Sequence, residues 1–573
     1  MMQIAYRGLR LIFLIFSLNS VHSPSWAQGV NSDTLRKYSW IKPELNYVQY
    51  YHKAVMQSFH DKWSGAGRVV VAHFGDSHVQ SDIYPGALRN DLQAVRGQGG
   101  FGMTFPYSTA KTYSAIDYFS SHTGTWLFAK SIEFKPKLPL GLSGATAKTF
   151  NHEAGFKIKF KKTLPQEYRK LKIYCRQQKS SFDFVARSGA GEVFVNVDSA
   201  ATKPVEVILQ ALDSTIEIQL VKNFAYQTQF EFYGMSVESV SPGGVLLHCL
   251  GIGGSRYGSL LEEVLLDEQL PTLQADLIIL DFGTNDFLYD NRIPFYLEDQ
   301  IVRVIRKVRK SAPNAMVLLT TTQDMYRRQQ DITAAGQFSD LIRKISKAQQ
   351  CPFYDWYWIS GGPERMMDWT RSRLAQRDMI HLTLKGYTLK GQMLADAIIK
   401  SLSLFANAST PDSMIFNVDS LKQLSNKRPD SVMQAATLAK PVVIAGASAM
   451  NMIRHKIVRG ETLKSIARLY GVSVDDLKRT NGLQSSRIVE GNYLNVETFR
   501  TDLGTKSNVT PVKGVTIEET YTTHKVQKGE TLSELAEQYK VTVKRLKKIN
   551  GLKSSRINAG QILKIRTTTT TGS

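Results

Sequence analysis

Three apolar runs, each stopped by a glycine and a polar turn, limit this chain to a narrow set of folds. Val69-Val70-Val71-Ala72-His73-Phe74 runs into Gly75-Asp76-Ser77-His78. Val245-Leu246-Leu247-His248-Cys249-Leu250 runs into Gly251-Ile252-Gly253-Gly254-Ser255, and Leu277-Ile278-Ile279-Leu280-Asp281-Phe282 into Gly283-Thr284-Asn285-Asp286. Short, continuous apolar runs of this kind read as strands buried on both faces. Two more follow, Met316-Val317-Leu318-Leu319-Thr320 and Phe353-Tyr354-Asp355. Helical patterns lie between them. Pro85 opens one, with Leu88, Leu92 and Val95 at i, i+4 and i+7; Leu297, Ile301, Ile305 and Val308 mark another; Phe338 to Lys347 and Gly386 to Leu402 mark two more. Alternating strands and helices imply an α/β domain, a parallel sheet covered by helices on both faces. Sites in such sheets gather at the carboxyl ends of the strands. The glycine cluster Gly97 to Gly102 ends the first helix. It lacks the strand-before-helix setting of a phosphate loop and is not read as a nucleotide site.

The pattern is interrupted between about residues 109 and 244. Short alternating segments replace it: Phe156 to Phe160, Leu171 to Cys175, Val193 to Val197, Val205 to Leu209, Thr215 to Val221 and Phe230 to Val237. Period-2 segments separated by polar turns predict an antiparallel β-sandwich, inserted between two parts of the α/β domain, 28–108 and 245–405. Residues 406–451 lose periodicity and read as a linker. Beyond it the sequence repeats. His455-Lys456-Ile457-Val458-Arg459-Gly460-Glu461-Thr462-Leu463 returns as His524-Lys525-Val526-Gln527-Lys528-Gly529-Glu530-Thr531-Leu532, and Asn481-Gly482-Leu483 as Asn550-Gly551-Leu552. Each copy, 452–498 and 522–567, reads strand–helix–helix–strand, with Thr462 and Thr531 placed to cap the first helix. Residues 499–521 form a second linker and 568–573 a disordered tail.

Composition bounds the partners and the compartment. A formal charge of +22 favours polyanionic partners. No dense Lys/Arg block with interleaved aromatics and no nucleic-acid module occurs, so nucleic acid is not an expected partner. Arg7 and Arg10, the apolar run Leu11 to Leu18 and the small residues of Ser25-Trp26-Ala27 predict a secretory signal peptide over 1–27. That run is too short to span a bilayer, and no later run reaches such length. The mature chain is therefore expected to be exported, to the periplasm, the cell wall or the extracellular space, without an integral membrane segment. Cys175, Cys249 and Cys351 are odd in number and widely spaced, which is no disulfide framework. They read as buried small apolar residues. No Cys/His cluster has zinc spacing, so neither a metal nor another cofactor is expected.

Gly-Asp-Ser alone would be an ordinary turn. The other strand ends change its meaning. Ester cleavage by serine needs an exposed hydroxyl, a base, a group that orients the base, and donors for the oxyanion. Ser77 is the candidate nucleophile and His381 the base. Asp378, three residues earlier, can accept from the imidazole on one local turn. The candidate oxyanion donors are the N–H groups of Ser77 and Gly254 and the side-chain amide of Asn285; a Cβ at 254 would crowd the tetrahedral intermediate. His78 is read as packing beside the site, Asp286 as structural, and His73 as a core histidine.

The set Gly75-Asp76-Ser77-His78, Gly254, Gly283-Thr284-Asn285-Asp286 and Asp378-Met379-Ile380-His381 resembles the SGNH hydrolase family, also called GDSL-like esterases. The resemblance implies a three-layer α/β/α, flavodoxin-like fold. His78 departs from the residue usual after the serine. The Gly-Asp-Ser-His form, with a sandwich inserted before the oxyanion glycine, resembles exported peptidoglycan O-acetylesterases, in which that insertion is a carbohydrate-binding module. This implies removal of acetyl groups from the C6 hydroxyl of N-acetylmuramic acid. Each βααβ repeat resembles the LysM module, which implies binding to N-acetylglucosamine-containing glycan such as peptidoglycan. Esterase or acetyltransferase action on another acetylated polysaccharide, and a non-catalytic wall-binding scaffold, are the alternatives.

Overall fold

The computed structural model describes residues 37–133, 135–197, 203–406, 411–419 and 421–422. Beyond 450 it describes most of 451–498, then 509–511, 520–526, 561–567 and scattered positions. The signal peptide, the C-terminal tail and Thr531 lie outside the described residues. The chain divides into two units, 1–428 and 429–573.

The first unit is built on a five-stranded parallel sheet. Its strands are β1 (Val69–Gly75), β2 (Val245–Gly251), β3 (Leu277–Asp281), β4 (Met316–Thr320) and β5 (Phe353–Tyr354), in the spatial order β2-β1-β3-β4-β5. This is the flavodoxin-like order, with a switch point at β1/β3. Successive side chains of a strand point to opposite faces, so each run feeds two cores. Val69, Val71, Leu277 and Ile279 pack with one set of helices: α1 (Ala54–Ser64), α2 (Ile83–Arg96) and α6 (Leu384–Phe405). Phe74, Ile278, Leu280 and Leu319 pack with the other: α3 (Leu266–Leu273), α4 (Leu297–Ser311) and α5 (Ala334–Gln349). The stripe Leu297, Ile301, Ile305 and Val308 on α4 is fully buried, and each such side chain contributes about 1.5–3 kcal/mol. In α2, Leu88 and Leu92 are buried but Val95 is 42% exposed. The apolar spacing overstated that face by one residue.

The insertion is a sandwich of two antiparallel sheets around its own core, which includes Phe156, Ile158, Phe184, Ile216, Phe230 and Phe232. Four of its strands escaped the sequence reading: Tyr118–Thr123, Leu127–Lys130, Ala145–Thr149 and Asp183–Ser188. They carry polar or small residues that blur the alternation. A fifth corrects the reading of the glycine cluster. Gly100–Thr104 is a strand that pairs antiparallel with Phe230–Glu238. It runs so close to β2 that a Cβ on Gly102 would stand 2.0 Å from the Leu247 carbonyl oxygen. The glycines are there for a long-range backbone contact, which local sequence does not show.

The first linker is also shorter than expected. Tyr50 and Met414 exchange backbone hydrogen bonds, the Phe416 N–H donates to Gln49 Oε1, and Val418 is buried in the core. The chain thus returns to the α/β domain as far as residue 422 before the second unit begins.

In that unit the first repeat is strand Asn451–Lys456, helix Leu463–Tyr470, helix Val474–Asn481 and strand Tyr493–Thr498, with the strands paired antiparallel. Ser465 N–H donates to Thr462 Oγ1 at 3.1 Å, the expected cap. Asn481 accepts from Asn495 N–H at 2.7 Å and donates to the carbonyls of Leu477 and Asn495, locking helix to strand. Val509–Pro511, inside the expected second linker, adds to this sheet. In the second repeat Thr520–Lys525 pairs with Ile562–Thr567.

Gly102→Ala should destabilise the first unit by about 1–3 kcal/mol, the cost of overpacking a close contact. Urea unfolding monitored by tryptophan fluorescence measures it. Stability equal to wild type would show that the strand can move off β2.

Candidate active site

Ser77 opens a four-residue helix, Ser77–Gln80, at the carboxyl end of β1. Asp76 caps it: its Oδ1 accepts from the His78 N–H at 2.9 Å. The Asp378–His381 turn arrives from the far end of the chain, just before Thr383 caps α6 by accepting from Gly386 N–H at 3.2 Å. Met379 is left-handed, φ 56°, which folds the turn so that the acid and the base face each other. Gln376 holds this turn by donating from its N–H to the His381 carbonyl and from its side chain to that of Leu382.

The structure brings Ser77, His381 and Asp378 together. His381 Nε2 lies 2.9 Å from Ser77 Oγ, and its Nδ1 lies 2.7 Å from Asp378 Oδ2. The other carboxylate oxygen accepts from the N–H groups of Ile380 and His381, both at 3.0 Å. A carboxylate at Nδ1 fixes the tautomer with its proton there, leaving Nε2 free to take the serine proton. Burial would raise the Asp378 pKa, but these hydrogen bonds outweigh it and hold the carboxyl down at about 2. Burial also works against the charged imidazole. The hydrogen bond and charge of Asp378, with the charge of Asp76 behind them, prevail and raise His381 above its ordinary value.

The oxyanion candidates converge on the same point of the sheet. Among the described residues the N–H groups of Ser77 and Gly254 donate to no protein acceptor. Gly254 has φ +92°, a backbone that itself calls for glycine. A Cβ there would meet Ile132 only at an ordinary 3.5 Å, so backbone conformation is a clear reason for this glycine. Asn285 stands differently from the simple expectation. Its amide donates to Asp76 Oδ2 at 3.2 Å and to the Ser255 carbonyl at 3.0 Å. It ties the nucleophile turn to the glycine loop, and it can serve an oxyanion only by sharing or exchanging one of these bonds. Burial, opposed by the His78 N–H, lifts Asp76 to about 7.

His78 packs beside the site. It is buried, stacks on the His381 ring with centroids 5.1 Å apart, and has Nδ1 2.7 Å from the Tyr387 hydroxyl. Burial, then the neighbouring charges of His381 and Lys390, push its pKa well down and keep it neutral. Asp286 accepts from the Tyr257 N–H at 3.3 Å. His73 is buried, with Nε2 3.4 Å from Asp281.

Three residues of this site were missed in the sequence. Gln80 is buried and accepts from the Gly253 N–H, while its Nε2 donates to the Tyr113 carbonyl at 2.9 Å. Its place three residues after Ser77 on the same short helix was the available signal. Tyr113 and Ile132 had none, since they belong to the inserted region. The Tyr113 hydroxyl would lie 2.8 Å from a Cβ on Gly253, and Ser131 Oγ lies 3.2 Å from Ser255 Oγ. The insertion therefore walls the Gly253–Ser255 loop.

The GDSL-like lipase/acylhydrolase family model matches residues 228–389, which include Gly254, Asn285, Asp378 and His381 but not Ser77; the LysM domain model matches 455–497 and 524–566. Among curated proteins the chain is similar to "Probable peptidoglycan endopeptidase LytE" of Bacillus subtilis (strain 168), 28% identical over 196 residues, 31% of this chain and 57% of that one. It is also similar to the N-acetylmuramoyl-L-alanine amidase sle1 of Staphylococcus epidermidis, 33% identical over 122 residues, 21% of this chain and 34% of that one. The chain thus covers about a third to just over a half of these relatives. In three dimensions it is similar to a solved peptidoglycan O-acetylesterase, with TM-score 0.51 and 20% identity over 62% of this chain and 98% of that one, a likeness of fold.

The base must be neutral to accept a proton, so kcat/KM on 4-nitrophenyl acetate should fall as pH drops through a midpoint above 6.5, the ordinary histidine value. Asp378→Asn should move that midpoint down and cost about 1,000- to 10,000-fold in rate. A pH–rate profile tests both. An unmoved midpoint would remove Asp378 from its role.

Proposed function

From a chain that carries a GDSL-like acylhydrolase domain ahead of two LysM domains, we propose an exported cell-wall esterase that removes O-acetyl groups from peptidoglycan. The observation that carries it is the continuous hydrogen-bonded path from Ser77 Oγ through His381 to Asp378. His381 Nε2 takes the Ser77 proton as Oγ attacks the acetyl carbonyl carbon. The negative charge that develops on the carbonyl oxygen is met by the N–H groups of Ser77 and Gly254, with the Asn285 amide adjoining. Collapse breaks the bond to the sugar oxygen, which leaves with the proton from His381. Water, deprotonated by the same imidazole, then attacks the acetyl-enzyme, and acetate departs as Ser77 regains its proton. No step calls for a metal or other cofactor.

The LysM pair supports the wall as the location, by keeping the enzyme on a repetitive polymer at high effective concentration. The formal charge of +22 suits a glycan that bears peptide carboxylates. The proposed ester is the acetyl on the C6 hydroxyl of N-acetylmuramic acid, and the apolar leader over 1–27 supports export.

Acetate release from O-acetylated peptidoglycan should fall by roughly 1,000-fold or more in Ser77→Ala and in His381→Ala. Release that persists in both would end the serine mechanism. Removing residues 451–573 should weaken sedimentation with insoluble peptidoglycan while turnover of 4-nitrophenyl acetate persists. Loss of small-ester turnover as well would make the repeats part of the catalytic fold.

A further inference from the structure

A second cleft opens beside the catalytic turn. It has a volume of about 700 Å³ and is lined by Trp40, Lys42, Trp358, Glu364, Arg365 and Asp368 among others. That volume lies within the roughly 300–1,000 Å³ of small-ligand sites. Trp358 is 5% exposed, and the indole N–H groups of Trp358 and Trp40 are both buried with no acceptor among the described residues. A buried orphan donor is costly and needs a reason. Glu364 is left-handed, φ 63°, an uncommon conformation that recurs at ligand sites.

The cleft adjoins the candidate active site through one strap of chain. On one side of residues 323–326, the Gln323 amide donates to the Ile380 carbonyl at 2.9 Å, and the Tyr326 N–H to that of Met379 at 3.0 Å. On the other side, Asp324 Oδ2 accepts from the Met366 N–H at 2.8 Å, next to Arg365. Both sites also lie on the carboxyl side of the sheet, since the helix Trp356–Ile359 follows directly on β5. The buried strap is thus the partition that the two sites share.

The lining states the chemistry of the occupant. Lys42 and Arg365 are balanced by Glu364 and Asp368, and Arg365 Nη1 pairs with Asp368 Oδ2 at 2.9 Å. This balance suits a neutral ligand better than a phosphate or an acidic peptide. Half-buried Trp40 gives apolar ring surface with buried Trp358 as the floor beside it, and the carboxylates and guanidinium offer forked hydrogen bonds. Together these fit the apolar face and the hydroxyl and acetamido rim of a pyranose ring. We infer that the Trp40/Trp358 cleft is a second glycan subsite, which holds another sugar unit of the polymer whose ester is cleaved. The inference rests on the reading of Ser77 as the serine of a glycan esterase.

The full chain permits a direct test. All seven tryptophans precede residue 370, so the LysM repeats contain none. With 5-fluorotryptophan incorporated, titration with a glycan tetrasaccharide of N-acetylglucosamine and N-acetylmuramic acid that lacks O-acetyl groups should shift the 19F signals of Trp40 and Trp358, assigned by Trp40→Phe and Trp358→Phe. In Arg365→Ala and Trp358→Phe, KM for soluble O-acetylated peptidoglycan fragments should rise about tenfold, the loss of one good contact. Their turnover of 4-nitrophenyl acetate should stay within about twofold of wild type and reports an intact fold and active serine. Unshifted Trp40 and Trp358 signals at glycan saturation, or an unchanged KM in folded variants, would overturn the subsite. Failure of the esterase reading is distinct: wild type itself would then release no acetate, whatever the 19F spectrum shows.

Discussion

A buried charge cluster beneath the nucleophile turn is the constraint on which the rest of the site depends. Asp281 ends β3, and its carboxylate lies 3.6 Å from Lys390 Nζ and 3.4 Å from His73 Nε2. All three side chains are buried. Burial would raise the Asp281 pKa, but the Lys390 charge, reinforced by His73, holds it well below the carboxylate range. Breaking such a pair by removing one partner costs about 3–5 kcal/mol, since the other charge is left stranded. His73 lies four residues before Ser77, Asp281 four before Asn285, and Lys390 nine after His381. One cluster therefore fixes the three elements that carry Ser77, Asn285 and His381.

The same economy appears one layer further out. Gln80, on the helix that Ser77 opens, holds the Gly253 N–H with one end of its amide and the Tyr113 carbonyl with the other. Ser131 meets Ser255 from the other side. The inserted sandwich thus touches the Gly253–Ser255 loop at two points, and Gly100–Thr104 pins its sheet against β2. An insertion so placed shapes the mouth of the site instead of hanging from it.

This division explains what could be read in the chain. The parallel sheet was legible because strands buried on both faces leave continuous apolar runs, and Ser77, Gly254 and Asn285 because each follows such a run within a few residues. Asp378 and His381 were legible as an i, i+3 pair before a closing helix. Contacts between distant backbones left no such trace. Gly102 marks one of them, but a glycine looks the same in a turn and against a neighbouring strand. Tyr113, Ile132 and the return of Met414 and Val418 to the α/β core depend on tertiary packing that no local period encodes. Val95 failed in the opposite sense: its spacing was right, but its side chain stands 42% exposed.

The Asp378–His381 pair itself is not a source of stability. The side chains of His381 and Asp378 are 33% and 42% exposed, and pairs of that kind contribute about 0–1 kcal/mol. What the turn secures is orientation. Three hydrogen bonds converge on the Asp378 carboxylate, Met379 takes a left-handed backbone to allow them, and the neutral His78 ring lies flat against the imidazole from behind. A proton-accepting Nε2 held 2.9 Å from Ser77 Oγ is the outcome. The strain and the half-exposed ion pair make sense only as the cost of that position, while the buried Asp281–Lys390 pair below fixes where the surrounding elements sit.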